Sequence, residues 1–206
     1  DLSRMAEVGA LANAVASKHA SIDVLLNNAG IFHTPDAITE DGLDVRFAVN
    51  TIAPYLLTQK LLPHMASDGR VINTSSAAQS PVNPDALTGR KRLDDFEAYA
   101  QSKLALNMWS RHLARQEHAP CTIAVNPGSM LGSKMVKEGF GVAGGDIRIG
   151  ANILARAALA DDFASASGLY FDNDSGRFKP PHPDALDDQK VKTVVQLIEE
   201  IVSRLA

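Results

Sequence analysis

The chain has 206 residues, of which 45% are hydrophobic and 21% charged, so it is long enough to form one soluble domain with a buried core. Its net charge of −4, without a cluster of lysine and arginine, excludes an electrostatic surface for nucleic acid. No apolar run reaches the length of a membrane span, and the single cysteine excludes an internal disulfide and favours a reducing compartment such as the cytoplasm. The six histidines lack metal-ligand spacing, so no metal site is expected.

The chain alternates between two kinds of hydrophobic pattern. Apolar residues at helical spacing predict helices, and short runs rich in Val, Ile and Leu predict buried strands. Polar stretches rich in Gly, Pro and Asp predict loops at 79–95, 129–145 and 173–183. In chain order, the predicted helices are 3–18, 41–65, 96–116, 146–159 and 184–205, and the predicted strands are 22–26, 70–74, 121–125 and 168–171.

The strands are separated by long helices, which implies parallel pairing with right-handed crossovers and an α/β fold. The carboxyl ends of parallel strands form the edge at which ligands bind. The closing helix, 184–205, has an apolar stripe that we expect to pack either on this sheet or against another subunit. Polar or glycine-containing turns directly follow three of the strands, and they are Asn27-Asn28-Ala29-Gly30, Ser75-Ser76 and Asn126-Pro127-Gly128.

Tyr99 and Lys103 are four residues apart in a predicted helix, so their side chains share one face. A phenol has a pKa of about 10, and a neighbouring ammonium group is expected to lower it toward the range useful for acid–base chemistry. Alone, the pair is equally compatible with a solvated helix surface. The functional interpretation therefore depends on the residues around it.

A proline interrupts the long helical pattern at 41–65 just beyond Asn50. Pro54 has no amide hydrogen, and its ring clashes with the preceding helical turn. We therefore expect a kink or local distortion of the helix beside Asn50.

Together these motifs resemble the short-chain dehydrogenase/reductase family. The resemblance implies a Rossmann-like, doubly wound parallel sheet in three α/β/α layers, with residues 1–206 belonging to a single domain. The matching positions, in the order the family has them, are Asp1, Asn27-Asn28-Ala29-Gly30, Asn50, Ser76, Tyr99-x-x-x-Lys103 and Pro127-Gly128.

The resemblance implies a catalytic role for four residues. Tyr99 would protonate the substrate carbonyl oxygen during reduction, or take the hydroxyl proton during oxidation. Lys103 would lower the pKa of Tyr99 and hold the nicotinamide ribose. Ser76, rather than Ser75, would hydrogen-bond the same substrate oxygen, and Asn50 would hold a water that connects Lys103 to solvent.

The resemblance also implies an NAD or NADP cofactor, with NADP slightly favoured. Asp1 would meet the adenine, and Asn27, Ala29 and Gly30 would pass the adenine ribose. The nicotinamide side would be formed by Tyr99, Lys103, Pro127, Gly128, Met130 and Ser133. The substrate would be a small carbonyl or alcohol, and the family resemblance favours a homodimer or homotetramer.

Two features depart from the commonest members of the family. The stretch between Ser76 and Tyr99 is longer, which resembles the retinol-dehydrogenase-like and protochlorophyllide-reductase-like branch and favours a bulky apolar substrate. No glycine-rich turn follows a first strand, so we expect the functional protein to have an N-terminal half beyond this chain, without which the strand at 22–26 is a bare edge. The alternative function is a non-catalytic fragment that binds no cofactor as it stands.

Overall fold

A computed structural model describes residues 1–205, and within them five strands form one sheet in the order β1-β2-β3-β4-β5. The first four strands are parallel to their neighbours, as predicted, and β5 is antiparallel to β4. The strands are β1 (Ile22–Asn27), β2 (Met65–Thr74), β3 (Cys121–Asn126), β4 (Tyr170–Asp172) and β5 (Arg177–Lys179).

Helices connect the parallel strands and close the chain. One of them contains a π-helical turn, Ala48–Ile52, inserted between two α-helical segments. The α-helices are α1 (Met5–Lys18), α2 (Val45–Phe47), α3 (Ala53–Leu61), α4 (Pro84–Leu87), α5 (Asp95–Leu113), α6 (Lys134–Phe140), α7 (Ile147–Leu159) and α8 (Asp188–Leu205).

Buried apolar residues lie on both faces of the sheet. On one face, Ile72 of β2 and Ile123 of β3 pack with α7 residues such as Ile153. On the other side, α1, α3, α5 and α8 form a second cluster in which the Tyr55 and Trp109 rings meet edge to face at 5.7 Å. Successive strand residues point to opposite faces, so both faces need a helical cover. The described residues thus form the α/β/α layers that the sequence predicted.

The helix that carries the Tyr/Lys pair, α5, has favourable residues at both ends. Asp94 caps its first turn by accepting a hydrogen bond from the Glu97 amide at 2.9 Å. Acidic residues in the first turn and Arg111 and His112 in the last turn complement the helix dipole. The side chains of α5 from Ala100 to Ser110 are all buried, because the helix lies between the sheet and α8.

Five features differ from the sequence prediction. The helix predicted at 41–65 ends earlier, and β2 begins at Met65 rather than Arg70, although its first residues look like a turn. Pairing of Met65 with Ile22, followed by a register shift, extends the strand. The predicted loops contain α4, α6 and β5, which are short elements stabilised by caps and pairing that composition does not reveal.

The outer strand β1 leaves one edge of the described sheet open. Leu26 on β1 is 41% exposed, in agreement with the expectation of an uncovered apolar edge. Strands preceding β1 stay a prediction. Within residues 1–205, no helix combines the length and apolarity needed to cross a bilayer.

Candidate active site

A cavity of about 880 Å³ opens at the carboxyl ends of β1, β2 and β3. This is within the usual range for small-molecule sites. It lies at the sheet edge where the sequence predicted a ligand. The predicted site residues that line it are Gly30, Ser76, Tyr99, Lys103, Pro127, Gly128, Met130 and Ser133.

Lys103 is a buried ammonium with few protein partners. Its Nζ donates a hydrogen bond to the Thr74 carbonyl oxygen at 2.8 Å and lies 5.6 Å from the centre of the Tyr99 ring. Within residues 1–205 it forms no salt bridge, so burial lowers the pKa of Lys103 to about 8. An ammonium has three hydrogens to donate, so this one has capacity for further acceptors in the cavity.

Tyr99 stands one helical turn before Lys103, at the wall of the same cavity. Burial raises the pKa of Tyr99, and the hydroxyl of Ser76, acting through a side-chain hydrogen bond, works in the opposite direction. The expected lowering by Lys103 is not found, because desolvation of the buried phenol is the largest influence on its pKa and the opposing influence comes from Ser76. Ser76 and Tyr99 nevertheless face one cavity, as the predicted chemistry requires.

Ser76 is held through its main chain at the end of β2. Its carbonyl oxygen accepts hydrogen bonds from the Tyr170 hydroxyl at 3.1 Å and from Gln79 Nε2 at 3.0 Å. Its own hydroxyl oxygen accepts from the Ala78 amide at 3.1 Å, so the hydroxyl hydrogen stays free to donate. These contacts fix the serine without consuming its donor.

Asn50 lies in the π-helical turn, where the distortion beside Pro54 was expected. Its side-chain oxygen accepts from the Ile31 amide at 2.8 Å, and its Nδ2 donates to the Ile31 carbonyl at 2.9 Å and to Ser102 Oγ at 3.0 Å. Ser102 in turn donates to the Tyr99 carbonyl at 2.7 Å. The Asn50 side chain therefore ties the loop after β1 to α5 rather than lining the cavity itself.

Gly30 leaves space beside Lys103. A Cβ atom at this position would lie 3.5 Å from both Lys103 Nζ and Asn50 Oδ1, so any side chain would fill the room next to the ammonium. The open space and the unused donors of Lys103 together fit a diol such as the ribose of a nicotinamide nucleotide. Ser133 caps α6, with its Oγ accepting from the Val136 amide at 3.3 Å, so its hydroxyl hydrogen also stays available.

Three predicted cofactor residues lie outside the cavity lining. Asp1 accepts hydrogen bonds from Ser3 just ahead of α1, and Ala29 is exposed. Asn27 donates to Asn73 Oδ1 at 2.8 Å and to Thr58 Oγ1 at 3.1 Å, because the last residue of β1 points toward the face covered by α3. The structure therefore gives Asn27 a role in joining β1, β2 and α3.

Sequence reasoning missed the aromatic wall of the cavity. The Phe32 ring meets Tyr99 edge to face at 5.4 Å, and its other side stacks on Phe140 of α6 at 5.4 Å. Phe96, 54% exposed, lines the cavity one turn before Tyr99. Helical spacing from Tyr99 could have revealed Phe96, whereas Phe140 is brought to the site by the fold of the 129–145 segment and has no local signal.

The fold and the site define a class of protein, and comparison with known families agrees. The family described as short chain dehydrogenase matches residues 1–140. The chain belongs to this family of oxidoreductases, whose Rossmann-like fold binds NAD or NADP.

Individual similar proteins include one curated relative and two solved structures. Retinol dehydrogenase 13 from Homo sapiens is 29% identical over 210 residues, which cover 92% of this chain and 63% of that protein. The chain thus spans less than two thirds of the length of this curated relative. An uncharacterised protein from Mycobacterium paratuberculosis has a crystal structure with a TM-score of 0.79 and 27% identity, covering 98% of this chain and 74% of that one. A blue fluorescent protein from a metagenomic library, solved in complex with NADPH, has a TM-score of 0.64 and 26% identity, covering 85% and 73%.

Proposed function

We propose that this protein interconverts a carbonyl and an alcohol with an NAD(P) cofactor. The observation that carries the proposal is the meeting of the Tyr99 phenol, the Ser76 hydroxyl and the Lys103 ammonium at one cavity. A proton donor, an orienting hydroxyl and a fixed positive charge are the groups that a protein must supply for this reaction.

Each of these residues acts at a stated atom. When bound, the nicotinamide cofactor supplies or accepts the hydride. The Tyr99 hydroxyl gives its proton to the carbonyl oxygen in reduction and takes it back in oxidation. The Ser76 hydroxyl donates to the same oxygen and orients it. Lys103 holds ribose hydroxyls with its unused hydrogens and places a positive charge next to the Tyr99 ring.

Proton exchange with solvent is assigned to the region of Asn50. Its π-helical turn shifts the main-chain hydrogen bonds of the helix, since the Ala53 amide donates to the Ala48 carbonyl five residues earlier. Such turns are frequent at functional sites, and they free main-chain groups that can hold a water. In this proposal the water connects Lys103 to solvent and completes the replacement of the proton that Tyr99 gives away.

The cofactor is proposed to be NADP in preference to NAD. Support comes from the related blue fluorescent protein, whose crystal structure is a complex with NADPH. The substrate is proposed to be a bulky apolar alcohol or carbonyl. The aromatic wall of Phe32, Phe96 and Phe140 supports this, and so does the name of the relative retinol dehydrogenase 13.

Replacing Tyr99 by Phe tests the proposal. Turnover of all-trans-retinal with NADPH or NADH, followed at 340 nm, is expected to fall by about a thousandfold, because the proton donor is removed. Tyr55→Phe is the matched control, since it makes the same chemical change outside the cavity at a hydroxyl bonded to Glu199. Retained turnover in Tyr99→Phe, with far-UV circular dichroism unchanged, would refute the assignment of Tyr99.

NADPH fluorescence separates the enzyme from the alternative of a non-catalytic fragment. Binding of the reduced nicotinamide in an apolar cavity is expected to enhance its emission. A folded sample that leaves the emission unchanged with both NADPH and NADH would favour the fragment.

A further inference from the structure

Arg46 is a fully buried arginine outside the proposed catalytic group. It lies in α2, one helical turn before Asn50, and is 1% exposed. Burying a guanidinium is costly unless its charge is paired and its donors are bonded. Its partners therefore indicate what the structure gains from it.

The Arg46 guanidinium contacts three separate segments. Its Nε and Nη2 donate to the two carboxylate oxygens of Asp44 at 2.8 and 2.7 Å. Its Nη1 donates to the carboxylate of Asp95, the first residue of α5, and more weakly to the Phe32 carbonyl oxygen at 3.4 Å. Burial would lower the pKa of Arg46, but the bonds to Asp44 and Asp95 outweigh it and raise that pKa.

Charge balance does not require the contact with Asp95. Asp44 is 4% exposed and already pairs with Arg46 in the bidentate geometry that carboxylates prefer. The Asp95 side chain is 37% exposed and could remain in solvent without a partner. The contact with Asp95 therefore fixes the position of a helix, since it joins the start of α5 to a guanidinium that Asp44 and the Phe32 carbonyl also hold.

Both segments that Arg46 reaches beyond its own turn adjoin Tyr99. Asp95 stands one helical turn before Tyr99 on α5, and the Phe32 ring packs edge to face on the Tyr99 ring. We propose that Arg46 is a positioning residue that acts through Asp95 to fix the first turn of α5, and hence the Tyr99 hydroxyl. The catalytic consequence of this inference rests on the proposed function.

His33 adds a second, exposed contact at the same carboxylate. Its Nδ1 lies 2.6 Å from Asp95 Oδ2, so the loop after β1 is joined to α5 from the solvent side as well. The Asp95 carboxylate is thus held between a buried cation and an exposed imidazole. Replacing Asp95 removes both contacts and leaves the Arg46–Asp44 pair intact, so the fold is retained, whereas replacing Arg46 would leave Asp44 buried without a partner.

The test compares Asp95→Ala and Asp95→Asn with a matched control at the other end of α5. Asp188→Ala removes an exposed ion pair with Arg115, which follows the last turn of that helix. Amide hydrogen exchange over residues 95–103 is read in each variant, together with kcat and KM for all-trans-retinal and NADPH. Exchange in the first turn of α5 is expected to rise about tenfold in Asp95→Ala, less in Asp95→Asn, and not at all in Asp188→Ala.

The kinetic expectation is a fall in kcat of about tenfold in Asp95→Ala with KM changed less than about twofold, because the proton donor is displaced while the cavity persists. Unchanged exchange in the first turn of α5 would overturn the inference, and so would raised exchange with a wild-type kcat. If the wild-type protein does not turn over all-trans-retinal with either NADPH or NADH, the proposed function fails. The exchange measurement alone then decides whether Asp95 fixes the helix.

Discussion

At the scale of single residues, the site brings together two ionisable groups that are shifted in opposite directions. Burial lowers the pKa of Lys103 to about 8 and raises the pKa of Tyr99. The free side chains titrate close together, at about 10. In the fold, Lys103 is mostly charged at neutral pH, and Tyr99 holds its proton. The protein therefore presents a protonated donor next to a cation, which suits reduction of a carbonyl.

The lowered pKa of Lys103 predicts a rise in stability at alkaline pH. Between pH 8 and about 10.5 the unfolded chain binds the lysine proton more tightly than the native state, so the free energy of unfolding increases by about 3 kcal/mol. Below pH 8 both states hold the proton, and the contribution is constant. Urea unfolding of wild-type protein and Lys103→Met at several pH values measures it. The free energy of unfolding of the wild type minus that of Lys103→Met should increase with pH over this window. A difference that is independent of pH would contradict the prediction.

At the scale of elements, the turn between β4 and β5 holds the loop that follows β3. Asp174 accepts from the Ser129 amide at 2.7 Å, from Ser129 Oγ at 2.5 Å and from Asn126 Nδ2 at 2.9 Å. Burial would raise the pKa of Asp174, but these hydrogen bonds outweigh it and lower that pKa. An antiparallel hairpin at the sheet edge thus fixes Pro127 and Gly128 at the cavity. The strand β5 therefore supports the site, although none of its residues lines the cavity.

Removing this support is expected to weaken cofactor binding. Asp174→Ala releases the loop after β3, and the dissociation constant for NADPH, measured by fluorescence titration, should rise about fivefold, equivalent to about 1 kcal/mol. Asp161→Ala is the control, because it removes a carboxylate from an exposed turn. An equal affinity in Asp174→Ala and wild type would show that the loop keeps its shape without the carboxylate.

At the scale of the whole molecule, the helix carrying Tyr99 depends on the end of the chain. The amphipathic helix α8 buries its apolar stripe against α5 and, more lightly, α1. It thus packs on helices of this chain rather than directly on the sheet, as one expectation had it, because α5 lies between α8 and the sheet. Ile198 on α8 is fully buried in that cluster. Residues beyond 140, which lie outside the family match, thus complete the core behind the site.

Truncating Ile198 tests this dependence. Ile198→Ala is expected to lower the free energy of unfolding by about 2–4 kcal/mol, because it leaves a cavity in the core behind α5. The control is Gln196→Ala on the exposed face of the same helix, which should stay within about 0.5 kcal/mol of wild type. Denaturant unfolding gives both values. A loss below about 1 kcal/mol in Ile198→Ala would mean that α8 is not part of the cooperative core.

The sequence alone determined the order of the main elements, the parallel pairing and the sheet edge at which the site lies. These follow from local periodicity and from turn residues directly after strands, both of which short stretches of chain carry. The sequence alone also determined the Tyr99/Lys103 spacing and the distortion beside Pro54, because each is a property of one helix.

The tertiary structure decided what depends on contacts between distant segments. The direction of the Tyr99 pKa, the turning of Asn27 toward α3, and the Arg46–Asp95 link all arise from burial or from partners far away in the sequence. The short strand β5 forms by pairing with β4, and Phe140 of α6 stacks on Phe32, which lies far earlier in the chain. Local sequence carries none of this information, since desolvation and pairing are properties of the packed chain.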